Sequence, residues 1–209
     1  MARPSRIAEK RRELLPIVAR AFSELGYRRA TTAELARRCG VRENILYRIW
    51  ADKKAMFIEA ISYVYELAAG IWIAQARKSP PGSEVAALLD YESAHIGEFG
   101  HYRIVFAGLS ETRDPDLRAA LAGMYRKFHT FILQELAGKG EPAVPGIAPA
   151  KEGREGRQER LCLDPELAAW ALIGLGTLAT ISRELKLMNQ ETRERLLKEV
   201  GTCLLERLR

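Results

Sequence analysis

The chain has only three cysteines, Cys39, Cys162 and Cys203, odd in number and far apart in 209 residues. No disulfide framework or metal spacing follows, which suits a reducing compartment. A membrane-length apolar run is missing too, since the longest, Leu167 to Ile181, falls short of the ~20 residues a span needs. The basic N-terminus, MARPSRIAEKRREL, is followed by no apolar segment and does not read as a signal peptide. No stretch alternates as a strand would, and no internal repeat is visible. GxSxG, P-loop, HExxH and paired-carboxylate patterns are all lacking. These absences argue against a β fold, an enzyme, a membrane partner and a resident metal or cofactor. They leave an all-α protein of the cytoplasm as the expectation.

Positive charge is plentiful in one place only. Residues 1–54 carry 14 Lys and Arg against 6 Asp and Glu, whereas residues 55–209 carry 19 against 21. A charge serving solubility alone would be spread, while a phosphate-binding face needs it concentrated.

That basic quarter contains TTAELARRCGVRENILYRIWADKK, Thr31 to Lys54. Ala33, Leu35, Ala36 and Cys39 have helical spacing, and Gly40 is suited to the left-handed residue that ends a helix. Val41 fills the angle, and Arg42 to Ile49 makes a second helix with Ile45, Leu46 and Ile49 inward. Two short helices over a glycine turn form a helix-turn-helix, whose second helix enters the major groove. Thr31 with Glu34 gives the S/T-x-x-E pattern of a capping box. Ahead of this lies a helix with Ile17, Val18, Ala21, Phe22 and Leu25, ending at Gly26-Tyr27. Pro16 marks either its start or a bend. Arg3, Arg6, Lys10, Arg11 and Arg12 form a basic arm or a frayed terminus.

Asp52 caps a long helix from about Lys53 to Arg77, which ends at Ser79-Pro80-Pro81-Gly82. Further helices are expected from about Ser83 to Ile96, over HYRIVFAGLS, and from Asp114-Pro115 to Leu136. Gly138 to Arg160 is rich in glycine, proline and charge, and reads as a mobile loop. Asp164-Pro165 opens a helix that is apolar nearly all round to Ile181. That requires burial on more than one side, with Gly174 and Gly176 permitting close approach. A last amphipathic helix runs from about Gln190 to Leu208.

Ala21-Phe22, Gly26-Tyr27, Thr31-Thr32, Leu35-Ala36, Gly40-Val41, Leu46-Tyr47 and Lys53 stand in the order and spacing of the TetR family of bacterial transcriptional regulators, which the chain resembles. The resemblance covers about fifty N-terminal residues, the remainder matching in helical layout. Arg42, Asn44 and Trp50 depart from the residues usual in the family.

The resemblance implies about nine helices, with a three-helix DNA-binding head at residues 1–54. A C-terminal domain, 55–209 with the loop at 138–160, would bind a small effector and form a homodimer through its last two helices. Thr32, Tyr47 and Lys53 correspond to phosphate-contacting positions, and Arg42, Glu43, Asn44 and Ile45 to the base-facing side. The chemistry agrees. Lys53 adds charge at a helix N-terminus, and the Tyr47 hydroxyl can donate to phosphate, though a tyrosine there also suits a plain core. Asn44 can pair with adenine, Arg42 with guanine, Glu43 can accept from cytosine, and Ile45 can touch a thymine methyl.

Candidate effector residues are Trp72, Tyr91, Phe99, Tyr102, Phe106, Tyr125, His129 and Trp170, aromatic or polar-tipped groups from which a pocket could be built. Candidate dimer positions are Leu172, Leu175, Gly176 and Ala179 on the first of the last two helices, and Leu197, Val200 and Leu204 on the second. Glu92, His95, Glu98 and His101 have a ladder-like spacing, but three-residue steps drift around a helix and exposed side chains are the simpler reading. The expected function is a repressor on a palindromic operator, released by a ligand acting through the helix at 53–77. Alternatives are a regulator of the same fold that activates or needs no effector, and a helical ligand carrier or enzyme.

Overall fold

The computed structural model describes residues 6–95, 101–137 and 163–207, and every regular element among them is helical. They pack as two compact units, Met1–Ile73 with Gly97–Lys127, and Ala74–Ile96 with Phe128–Arg209. The expected head, residues 1–54, lies wholly in the first. The expected loop at 138–160 lies outside the described residues.

In the first unit α1 (Arg6–Arg29) begins ten residues before Pro16. The proline is therefore neither a start nor a visible break, and the basic residues from Arg6 to Arg12 are helical. Its missing N–H falls on an exposed face, where the carbonyl it leaves unpaired is open to solvent. Leu14, fully buried, holds the turns ahead of it. So does Arg11, whose guanidinium clasps the Glu59 carboxylate with Nε 2.7 and 2.8 Å from its two oxygens. Leu14, Val18, Ala21 and Phe22 form the inner stripe. Gly26 then leaves the helix at φ +74°.

α2 (Thr32–Cys39) is capped by Thr31, whose Oγ1 accepts from the Glu34 amide at 3.2 Å. The reciprocal half of the capping box is missing. The Thr31 amide donates to the Arg29 carbonyl at 2.9 Å, and the Glu34 carboxylate accepts instead from Arg37 (2.7 Å) and Arg38 (2.9 Å). Two guanidiniums one turn away outcompete a single neutral amide. Gly40 takes the left-handed conformation at φ +63°, and Val41 donates back to Ala36 at 3.0 Å, closing α2 in a Schellman turn.

α3 (Glu43–Ile49) follows, and Trp50 ends it. Asp52 caps α4 (Lys53–Lys78) as expected, Oδ1 accepting from the Ala55 amide at 2.7 Å. Phe22 lies against Phe57 of α4, ring centroids 4.8 Å apart, with the Tyr27 ring 4.9 Å from Phe57. α6 (His101–Leu109) and α7 (Pro115–Ala137) complete this unit, which contains α7 as far as Lys127. A Cβ on Gly108 of α6 would stand 2.9 Å from Leu121 of α7, so these two helices meet closely. Arg28 at the end of α1 pairs with Glu111 at 2.7 Å, and Lys54 with Asp114 (3.1 Å) and Asp116 (2.6 Å).

The second unit is built on α5 (Glu84–His95) and α8 (Pro165–Glu184). Beyond them α9 (Gln190–Arg195) passes through one π-helical turn, Leu196–Val200, into α10 (Gly201–Glu206). The single last helix expected from the sequence thus contains one wider turn, and Leu208 lies outside the described residues. Val85, Leu89, Leu136, Ala168, Ala169 and Leu172 form the core. Asp164 caps α8 with Pro165 at its first turn. Within the chain a close approach occurs at Gly201, where a Cβ would meet Leu89 at 2.5 Å, while nothing lies within 4 Å at Gly174.

Two predictions follow from this local chemistry. Gly40→Ala forces a side chain into a left-handed turn and should lower stability by about 1 kcal/mol. Gly123→Ala, at an open helical position of α7, should raise stability by up to about 1 kcal/mol. Urea unfolding should therefore move the two midpoints in opposite directions. The second prediction concerns acid. Hydrogen bonds from Arg37, and next Arg38, pull the Glu34 pKa from the usual glutamate range to about 2. Its folded-state pKa lies below its unfolded one, so its contribution is complete above the usual glutamate pKa and lost as pH falls toward 2. Thermal melts of wild type and Glu34→Gln should differ at neutral pH and converge between about pH 5 and 2.

Candidate nucleic-acid interface

α3 is seven residues long, and its sides are sharply different. Leu46 is fully buried, Ile45 and Ile49 are half-buried, and Glu43, Asn44, Tyr47 and Arg48 are exposed. At about 100° per residue the four exposed positions span one continuous arc, and Arg42 projects ahead of it as the N-cap residue, with no side-chain cap bond. Ile45, expected to face bases, belongs to the inner side with Leu46 and Ile49. Arg48, which sequence reasoning passed over, belongs to the outer side, and its place four residues after Asn44 was the available signal.

Around this arc the other expected DNA contacts are held in place. The Tyr47 hydroxyl donates to Thr32 Oγ1 at 3.3 Å, so these two expected phosphate ligands stand together. Tyr47 is 49 % exposed, which removes the plain-core reading. The Lys53 ammonium donates to the Tyr27 carbonyl at 3.1 Å and lies 4.5 Å from the centroid of the Tyr27 ring. One of its three N–H groups is used there, leaving two for an anion.

Ion pairing divides the basic residues. Lys10, Arg11, Arg20, Arg28, Arg37, Arg38 and Lys54 all sit on carboxylates. Arg42 and Arg48 have no ion pair among the described residues, and neither do Arg6 and Arg12 of α1 or Lys53. The arc thus carries, in Arg42 at its start and Arg48 on it, cations that no carboxylate pairs among the described residues.

A second missed group fixes the end of α3. Trp50 is almost fully buried and donates its indole Nε1–H to the same Glu59 carboxylate that Arg11 clasps, at 2.6 Å. Glu59 thereby joins α1, α4 and the residue that terminates α3. Nothing in the sequence paired residues 11, 50 and 59.

The other expected site residues fall in both units. Trp72, Phe106 and Tyr125 lie in the first unit and Tyr91, His129 and Trp170 in the second. Phe99 and the Tyr102 side chain are outside the described residues. Trp170 is 44 % exposed and stacks on His129, centroids 4.5 Å apart. His95 stacks on Tyr91 and its Nδ1 meets the Tyr91 carbonyl at 2.8 Å, which turns it away from the ladder reading. Glu98 and the His101 side chain are outside the described residues, and no group of metal-ligating side chains occurs among those described.

The expected dimer positions differ in exposure. Leu172, Ala179 and Leu197 are buried within the chain, Leu175 and Leu204 pack against the same core, and Gly176 is half-buried. Of the seven, only Val200 is exposed, Leu175, Gly176 and Leu204 being partly buried. The outward stripe of α8 is instead Leu167, Trp170, Gly174 and Leu178.

Comparison with known proteins agrees with this geometry. Residues 19–60 match the family profile described as bacterial regulatory proteins, tetR family. No curated protein matches the sequence. Among solved structures, a TetR-family transcriptional regulator from Cytophaga hutchinsonii is 16% identical with a TM-score of 0.74, covering 98% of this chain and 97% of its own. A chain from Saccharomonospora viridis in complex with choline is 16% identical, TM-score 0.71, covering 92% of this chain and 95% of its own. AibR, solved with isovaleryl coenzyme A and operator DNA, is 16% identical, TM-score 0.61, covering 94% and 98% respectively. The helix-turn-helix of residues 19–60 is that of the tetR family of bacterial regulatory proteins, and the chain as a whole has the fold of TetR-family transcriptional regulators.

Proposed function

We propose that this protein is a transcriptional repressor of the cytoplasm that binds a palindromic operator as a homodimer and is released by a small-molecule effector. The observation that carries the reading is the exposed arc of α3, bordered by the unpaired Arg42, Arg48 and Lys53 and by the Tyr47–Thr32 pair. Asn44 and the arginines supply base-edge donors, while Tyr47, Thr32 and Lys53 supply phosphate ligands. One seven-residue helix reaches few base pairs, so tight binding calls for two heads on successive major grooves.

The partner is a second copy. Leu167 (61 % exposed), Trp170 and Leu178 (41 %) lie on one stripe of α8, and the open Gly174 between them admits a close neighbour. An apolar stripe of this kind is costly to leave in water. The effector reading rests on the fold, because neighbours of the same fold bind choline and an acyl coenzyme A. A ligand releases DNA only in proportion to its differential affinity for the two states. α4, which starts at Lys53, is the proposed connecting element.

Purified protein should enrich a palindrome from random DNA, and a metabolite pool containing the effector should abolish the enrichment. Failure to enrich any motif would remove the DNA-binding reading. Sedimentation should give twice the chain mass for wild type and one chain mass for Leu178→Glu with its helical circular dichroism intact. A wild-type protein of one chain mass would remove the pairing.

A further inference from the structure

The exposed arc of α3 holds one cation that no expected role absorbs. Arg48 is exposed and has neither an ion pair nor a hydrogen bond among the described residues. Its neighbours on the arc are fixed by helical geometry. Asn44 lies one turn earlier, about 40° away around the axis and ~6 Å along it. The nearest acid on the helix, Glu43, is five residues away and about 140° round, too far aside to neutralise the guanidinium. Tyr47 is engaged with Thr32. Ile45, half-buried, offers only an apolar contact and cannot supply the donors of Arg48.

We propose that Arg48 is a specificity-determining residue that reads a guanine, set within about two base steps of an adenine read by Asn44. The inference rests on the DNA-binding reading above and names what the site selects. A guanidinium presents two parallel N–H groups that match guanine O6 and N7, and a carboxamide matches adenine N6 and N7. The ~6 Å rise between the two side chains is close to two steps of 3.4 Å along one strand. Each half-site therefore carries a guanine and an adenine at that spacing, read from one face of one helix. Arg48 is the larger contributor, because its contact is charge-assisted.

The experiment is selection from random DNA by the full-length protein and by its Arg48→Ala, Arg48→Gln and Asn44→Ala variants. Binding is then measured on the selected site with each base changed in turn. Wild type should select a motif containing the two purines. Arg48→Ala should lose about tenfold or more of its preference at the guanine alone, keeping the adenine, and Asn44→Ala should do the converse. Arg48→Gln, which keeps the side chain polar, should shift the preferred base at that position from guanine toward adenine. Unchanged melting temperatures would be expected for all three, since the positions are exposed. A wild-type motif that every Arg48 variant reproduces overturns the inference while leaving the regulator reading intact. So does an equal loss of affinity on selected and scrambled DNA, which marks a phosphate contact. Absence of any motif with wild type overturns both.

Discussion

The recognition surface depends on anchoring a helix too short to stand alone. Isolated helices below ~12–15 residues are marginal in water, and α3 has seven. Leu46 and Trp50 hold it down, both essentially removed from solvent. Burial of apolar side chains of this size contributes on the order of 2 kcal/mol each, enough to order a single turn or two. Trp50 adds direction to that force. Its indole N–H must find an acceptor inside, and Glu59 supplies one while also holding Arg11. The inner side of α3 is thus fixed at one point by packing and at another by a charge-assisted hydrogen bond. The outer side stays free of both.

Charge in the first unit follows the same division. Exposed ion pairs contribute only about 0–1 kcal/mol each, so the many arginine–carboxylate pairs of α1 and α2 are weak evidence of stabilisation. Their effect on the field is larger. By neutralising Arg20, Arg37 and Arg38 on the spot, Glu24 and Glu34 remove positive potential from the flanks of the head. Among the described basic residues of the head left without a carboxylate are Arg42 and Arg48 at the two ends of α3 and Lys53 at the start of α4, together with Arg6 and Arg12 of α1. The bulk count of basic residues pointed to the right quarter of the chain, but only the pairing shows where in that quarter the net field lies.

Much of the fold was legible because its boundaries are local. Gly40, Asp52 and Asp164-Pro165 each act on the backbone within a few residues, and the structure places turn, cap and cap there. The misreadings share the opposite cause. Helix start at Arg6 rather than Pro16 is decided by Leu14 and by Arg11 reaching Glu59, forty-eight positions away. The capping box failed because Glu34 had three claimants and a pattern names only one. Ile45 looked base-facing because a motif aligns positions in sequence, whereas facing is set by an angle that only the burial of Leu46 and Ile49 fixes. Glu59 carried no signal at all, since a glutamate inside a long helix normally faces water.

The same reasoning applies to α8, where an apolar sequence hid two different faces. Ala168, Ala169, Leu172 and Ala179 turn inward, and three of these four are small. Alanines let a helix come close to its neighbours, so they belong where the chain packs on itself. The bulky residues Leu167, Trp170 and Leu178 turn outward, the reverse of what a soluble monomer arranges. Reading the helix as apolar all round could not tell which residues the chain itself covers. Of the positions first assigned to a partner, Leu172, Ala179 and Leu197 are already buried within the chain. In the proposed pairing a second chain would cover the large side chains, and the open backbone at Gly174 lies between them. The proposed pairing thus follows from a mismatch of size and direction along one helix, and that mismatch does not depend on which ligand or operator the protein recognises.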